Sequence, residues 1–251
     1  MKKKVAIVVF TDGRLSRKVY KALLAQDYPD TSIIISVLRP DPKKLKQDNI
    51  IEHMNYSRKL AAASDADYFF FVESGVVIPK NAVSNLMRQL EQPPINLDNF
   101  KALEKTFGKL EAPKKKHIIG GWYKLLNKHG KIPTLWSPSR WIADNVLVSL
   151  MYVEKSVVRV DKIASGCIMM SREVLEKIPW RTGATIKVNE EDGKFSCPCM
   201  CAMFGIDAQD LGYELWMDGS VVCQHLSVPD SIIAKCWLRL TRKNPQLSYN
   251  C

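Results

Sequence analysis

Apolar and polar positions alternate along the chain at intervals that predict strands separated by helices. Lys4 to Phe10 is an apolar run and reads as a first strand. Leu15 to Gln26 has helical spacing, with Leu15, Val19, Ala22 and Leu23 on one face, and Tyr28-Pro29-Asp30 stops it. Thr31 to Leu38 is a β-branched second strand, broken by Arg39-Pro40-Asp41-Pro42. Ile51 to Ser64 reads as another helix. Then comes DADYFFFVESGVVIP, Asp65 to Pro79, in which Tyr68 to Val72 is a continuous apolar run. That is the pattern of a strand buried on both faces in the middle of a parallel sheet. It emerges at Glu73-Ser74-Gly75, and Val76 to Pro79 turns the chain away into a helix over Pro79 to Leu90.

The second half is less regular. Gln92 to Lys116 is a charged surface excursion ending in Lys114-Lys115-Lys116. His117 to Lys124 resumes as a strand in which Gly120-Gly121 permits close backbone approach. Pro133 to Val153, with Trp136 and Trp141, reads as a loop and strand, and Ala164 to Met170 as a small-residue turn and a strand. Ser171 and Arg172 open a short helix that ends near Pro179-Trp180. Asn189 to Gly193 is an acidic loop, and a helix is expected beyond Pro198, stopped by Gly212. Tyr213 to Leu226 reads as two short strands around an Asp218-Gly219 turn. Ser231 to Lys243 is a basic amphipathic helix carrying Ile232, Ile233, Cys236, Trp237 and Leu240, which either packs on its own domain or lies on a membrane surface.

Strands alternating with helices at this interval imply βαβ units. The expected fold is α/β: a single Rossmann-like α/β/α sandwich with a mostly parallel central sheet. Residues 1–228 form one domain, with halves at 1–125 and 126–228, and 229–251 are appended as the basic helix.

Composition narrows the class. An apolar content of 46% with charge spread throughout is that of a globular chain, and no apolar run approaches the ~20 residues of a membrane span. MKKKVAIVVF reads as a strand, not a signal peptide, so the expected location is cytoplasmic, with a peripheral membrane position as a variant. The net charge of +11, from 37 basic and 26 acidic residues, favours anionic partners: nucleotides, nucleic acid, an anionic acceptor or a membrane surface. It singles out no protein or nucleic-acid partner. Seven cysteines, an odd number, argue against a disulfide framework. Cys197, Cys199 and Cys201, with Cys223 and His225 further on, either hold zinc or pack as small hydrophobes.

In open α/β sheets ligands sit beyond the carboxyl ends of the strands, so a buried strand ending in Glu73 is either a place for chemistry or a solvated turn. Several segments in order decide what that chemistry resembles. Thr11-Asp12-Gly13-Arg14-Leu15 follows strand one, Gln26-Asp27-Tyr28-Pro29 closes the next helix, and Asn55 and Arg58 precede SDADYFFFVESGVVIP. Gly120-Gly121, Gly166-Cys167 and LGYELWMDGSVVCQHL follow. This order resembles the A-type-fold glycosyltransferases that use nucleoside-diphosphate sugars, most like their large inverting family.

The resemblance implies transfer of a sugar from a nucleotide-sugar donor, with Mn²⁺ or Mg²⁺ on the leaving diphosphate. It makes Glu73 and His225 the metal ligands. It puts Thr11, Asp12, Arg14, Asn55, Arg58, Glu73, Gly75 and Gly121 at the donor. The chain departs from the pattern where Gly75 stands in place of the second acid of the metal motif. An ungapped count puts Met200-Cys201 where the family has its Glu-Asp pair, whereas a gap puts Glu191-Asp192 there, with Asp192 as the base. Two readings stay open: a metal-assisted inverting glycosyltransferase, or a module of the same fold that binds nucleotide, glycan or a partner protein without catalysis.

Overall fold

The computed structural model describes residues 2–13, 15–91, 116–126, 133–136, 139–143, 146–149, 156–183, 186–187, 195–196 and 200–226. The expected helix over 229–251, the Glu191-Asp192 loop, Arg14, Cys197 and Cys199 lie outside them.

The chain opens with β1 (Val5–Thr11), α1 (Arg17–Leu24), β2 (Thr31–Val37), α2 (Lys46–Ala62) and β3 (Tyr68–Glu73). A short β4 (Val76–Val77) and α3 (Ala82–Glu91) follow. Then come β5 (Ile118–Leu126), β6 (Pro133–Trp136), β7 (Ser139–Ala143), β8 (Val146–Ser149), β9 (Val157–Val160) and β10 (Cys167–Ser171). The last elements are α4 (Arg172–Lys177), β11 (Ile186–Lys187), β12 (Phe195–Ser196), α5 (Met200–Asp210) and β13 (Leu215–His225).

The main sheet runs β2-β1-β3-β10-β5-β13-β4, with β6 beside β5 and β9 beside β13. Helices cover both faces, so the α/β sandwich expected from the pattern is present. The sheet is mixed, however. β1 is parallel to β2 and β3, and β13 to β5, but β10 runs antiparallel between β3 and β5. The apolar run of β3 therefore has one parallel and one antiparallel neighbour. Burial on both faces produces a continuous apolar strand whatever its neighbours' direction, so the run alone does not report it.

Side-chain alternation sorts the core into two layers. Val5, Ile7, Val9, Phe70 and Val72 face α1 and α3, where Val19, Leu23, Leu86 and Leu90 close over them. Ala6, Val8, Phe69 and Phe71 face Met54 of α2, Leu175 of α4 and Phe204 of α5. Trp180 stacks on Phe204 at 4.4 Å between ring centroids and locks this second layer.

One local expectation is corrected. Residues 215–225 form a single strand, not two around a turn. Asp218 Oδ1 accepts the Ser220 N–H at 2.7 Å, Gly219 N–H donates to Ser156 O at 2.7 Å, and the register against β5 slips between Asp218 and Val222. The Asp-Gly pair builds a bulge within the strand, which keeps β13 on β5 beyond it.

Candidate functional site

β1, β2, β3, β5 and β13 all point the same way, so their carboxyl ends share one edge. There β1 delivers Thr11, Asp12 and Gly13, β3 delivers Glu73, Ser74 and Gly75, and β13 delivers Gln224 and His225. Backbone bonds hold the three ends together. Ser74 N–H donates to Phe10 O at 3.3 Å, Glu73 N–H to Gly166 O at 3.2 Å, and Leu226 N–H to Gly75 O at 2.8 Å. Buried Thr11 orders the first loop, its Oγ1 accepting the Gly13 N–H at 3.2 Å.

At this edge His225 Nε2 and Glu73 Oε2 lie 3.9 Å apart. His225 is mostly shielded, whereas Glu73 is 44% exposed in its side chain. Burial lowers the His225 pKa and the Glu73 carboxylate opposes that shift, which leaves the neutral imidazole favoured at neutral pH. Gly75 bears directly on this pair. A Cβ at position 75 would stand 3.3 Å from both Cε1 and Nε2 of His225. The imidazole occupies the space into which a side chain from residue 75 would project. A cation also reaches this edge, as Lys18 Nζ of α1 donates to Gln224 Oε1 at 2.7 Å.

The pair meets one test for a divalent ion. Two donors each about 2.1 Å from a cation can stand up to about 4.2 Å apart, and 3.9 Å lies inside that limit. Among the described residues no group of three or more His, Cys, Asp or Glu side chains converges, so these two would need oxygens from a bound diphosphate to complete a shell.

Other residues singled out in the sequence lie elsewhere. Asn55 Nδ2 donates to Trp180 O at 2.8 Å and its Oδ1 accepts the Trp180 N–H at 3.0 Å. Arg58 Nη1 donates to Leu175 O at 2.8 Å and Glu176 O at 3.3 Å, at the carboxyl end of α4. Both fasten α2 to the α4 segment. Gly121 is inside the sheet. Cys201 packs in the α2–α5 layer and Cys223 in the α1–α3 layer, so the sheet separates them and they do not share a zinc ion.

A feature that the sequence did not signal is a cleft of about 510 Å³ beside the first turns of α2, lined by Lys44, Asp48, Glu52, Trp180 and Arg181. Its rim is braced by Lys44 on Glu52 at 2.6 Å and by a two-pronged Arg181–Asp207 contact at 2.8 and 2.5 Å. Its walls come from segments 130 residues apart, which no local pattern couples.

No protein-family model matches the chain, and no curated protein matches it. Among solved structures it is similar to A197 from STIV, at 13% identity and a TM-score of 0.48, covering 88% of this chain and 85% of that one. It is also similar to GalNAc-T7 solved with UDP, GalNAc and Mn²⁺, at 10% identity and a TM-score of 0.49, covering 89% of this chain and 44% of that one. Identities this low say nothing about chemistry. Among the described residues no helix is long and apolar enough to cross a membrane.

Proposed function

We propose that the chain is a glycosyltransferase taking a sugar from a nucleoside-diphosphate donor at the carboxyl edge of its sheet. One observation carries this: Glu73 and His225, 152 residues apart, are brought to 3.9 Å beside the Thr11–Gly13 loop. The ordered sequence resemblance and the +11 charge support it.

In this reading Thr11, Asp12 and Arg14 hold the nucleoside side of the donor, and the cleft beside α2 supplies a volume in the range of small-molecule sites. Asn55 and Arg58 serve it by holding α2 in place, and Gly121 by letting the strands beneath the edge close up. Glu73 and the neutral imidazole of His225 would hold Mn²⁺ or Mg²⁺, whose charge offsets that of the leaving diphosphate. Lys18 adds a fixed positive charge nearby. Asp192, with Glu191 beside it, takes the proton of the acceptor hydroxyl. The freed oxygen then bonds to the anomeric carbon as the carbon–oxygen bond to the diphosphate breaks, its electron pair leaving on the phosphate oxygen, with inversion.

A second reading is favoured by two specific observations. The His225 ring lies against Gly75, and Met200 and Cys201 are buried in α5, whose first turn carries no acid. A chain so altered would bind a nucleotide or glycan without turning it over.

One experiment separates the two. Donor binding and hydrolysis are measured over a panel of nucleotide sugars with Mn²⁺, Mg²⁺ or chelator, on the wild type and Glu73→Ala. Metal-dependent hydrolysis lost in Glu73→Ala supports the transferase. Binding with no turnover, even with added sugar acceptors, supports the binding module. No binding in any metal sinks both.

A further inference from the structure

β2 closes one side of the sheet, and no strand among the described residues pairs with its outer edge. Its backbone directions are set by two bonds to β1: Val5 N–H donates to Asp30 O at 2.9 Å, and Leu38 N–H to Thr11 O at 3.2 Å. Backbone groups alternate in direction along a strand, so the even-numbered residues face β1. Thr31, Ile33, Ile35 and Val37 therefore send their N–H and C=O groups outward.

Edges of this kind are normally blunted by lysine, proline, a bulge or a covering element. TSIIISV contains no charge and no proline, and its seven residues pair with β1 without a register shift. Seven β-branched or small residues without charge also match the composition of self-pairing segments. The side chains of the outward residues lie on the α1 face, where cover is thin: Ile35 is 44% and Val37 50% exposed. The segment after α1 is tied toward α3, where Gln26 Nε2 donates to Pro79 O at 2.9 Å and Gln26 Oε1 accepts the Val83 N–H at 3.2 Å.

We propose that this edge pairs with the β2 edge of a second copy of the chain, antiparallel about a two-fold axis at Ile34, making one continuous sheet. The register follows from the outward residues. Thr31 lies opposite Val37 of the second copy and Ile33 opposite Ile35, so each outward N–H meets an outward C=O. Ile33 and Ile35 also form apolar cross-strand pairs on the thinly covered face.

Charge selects the same arrangement. Residues 31–38 are uncharged, exposed Asp30 precedes them and exposed Arg39 follows. Antiparallel pairing brings the Asp30 end of each strand to the Arg39 end of the other copy, whereas in-register parallel pairing would set like charges together. The assembly is closed, because each copy has one β2 and the two-fold consumes both edges.

Sedimentation velocity on the full chain at tens of micromolar, near physiological salt, tests this. The expected species is a dimer. Ile35→Lys, at an exposed position, shifts it to monomer with an unchanged circular dichroism spectrum. Asp30→Arg weakens association by about tenfold or more, and adding Arg39→Asp to it restores the dimer. A wild-type monomer at these concentrations overturns the proposal, as does a dimer indifferent to Ile35→Lys. A dimer that responds to Ile35→Lys but ignores Asp30→Arg overturns the antiparallel register. Open-ended aggregation in place of a dimer overturns the closed two-fold pairing.

Discussion

Cys167 and Cys223 meet with their sulfurs 3.2 Å apart although β5 runs between their strands. Gly121 of β5 lies where they converge, and its missing side chain leaves the room: a Cβ there would stand 2.8 Å from Cys167 Sγ. The two thiols touch, enclosed in the apolar layer under α1 and α3.

Both thiols are free and buried, and the pair is expected to stay reduced. The hydrogen bond shared with Cys167, and burial after it, push the Cys223 thiol pKa well up, which removes the reactive thiolate at neutral pH. Native protein treated with a mild disulfide-forming oxidant should show no Cys167–Cys223 link by peptide mass mapping. A link formed without loss of native structure would disprove this.

Gly121→Ala should destabilise the fold strongly. Its Cβ would lie 2.6 Å from Val221 Cγ1 and 2.9 Å from Val221 O, and the backbone oxygen cannot move aside cheaply. A loss of about 1–3 kcal/mol is expected, measured by urea denaturation. Cys167→Ala in the same chain should recover only part of it, because the clash with Val221 remains.

Gly75→Ala should behave in the opposite way. Its Cβ meets only the end of the His225 side chain, at 3.3 Å, and that ring can give by a few tenths of an ångström. Stability should change by less than about 1 kcal/mol, while any metal-dependent turnover falls because His225 is displaced from Glu73. Equal effects on stability at the two glycines would contradict this distinction.

Asn55→Ala should reveal a scaffold role. It removes both bonds to the Trp180 backbone and leaves that N–H and C=O without their partner, at a cost of about 1–3 kcal/mol. Asn55→Asp keeps the acceptor and should recover part of the loss. A variant with unchanged stability and abolished nucleotide binding would instead place Asn55 at the donor.

Stability should fall as pH drops below the ordinary histidine value of 6.5, through His53. Burial lowers its pKa; its contact with Ser36 O and the nearby Asp12 charge oppose the shift more weakly. The unfolded chain then binds a proton that the native state resists, so this contribution is full above pH 6.5 and is lost as pH falls toward the folded value. Melting temperatures across this range in the wild type and in His53→Gln should diverge in that window. A constant difference between the two would refute it.

Much of the scaffold was legible because burial leaves a local trace. The runs Val5–Thr11, Thr31–Val37 and Tyr68–Glu73 fall within a residue of expectation, and each apolar strand needs its pattern whatever the rest of the chain does. Glu73 was legible as well, since a polar residue closing a doubly buried strand has to emerge at an edge. The bulge at Asp218–Ser220 was not, because Asp-Gly favours a hairpin turn locally and only pairing to β5 and Ser156 keeps the strand straight.

By itself the sequence determined the alternation of elements, the two apolar faces of the sheet and the acid at the end of β3. All of these arise from contacts between near neighbours or from partition into water. The tertiary structure decided that β10 enters antiparallel, that His225 fills the space beside Gly75, and that Asn55 and Arg58 grip the α4 segment instead of reaching the edge at Glu73. Those outcomes depend on pairs from about 50 to more than 100 residues apart, and nothing in the local preference of either partner encodes their meeting.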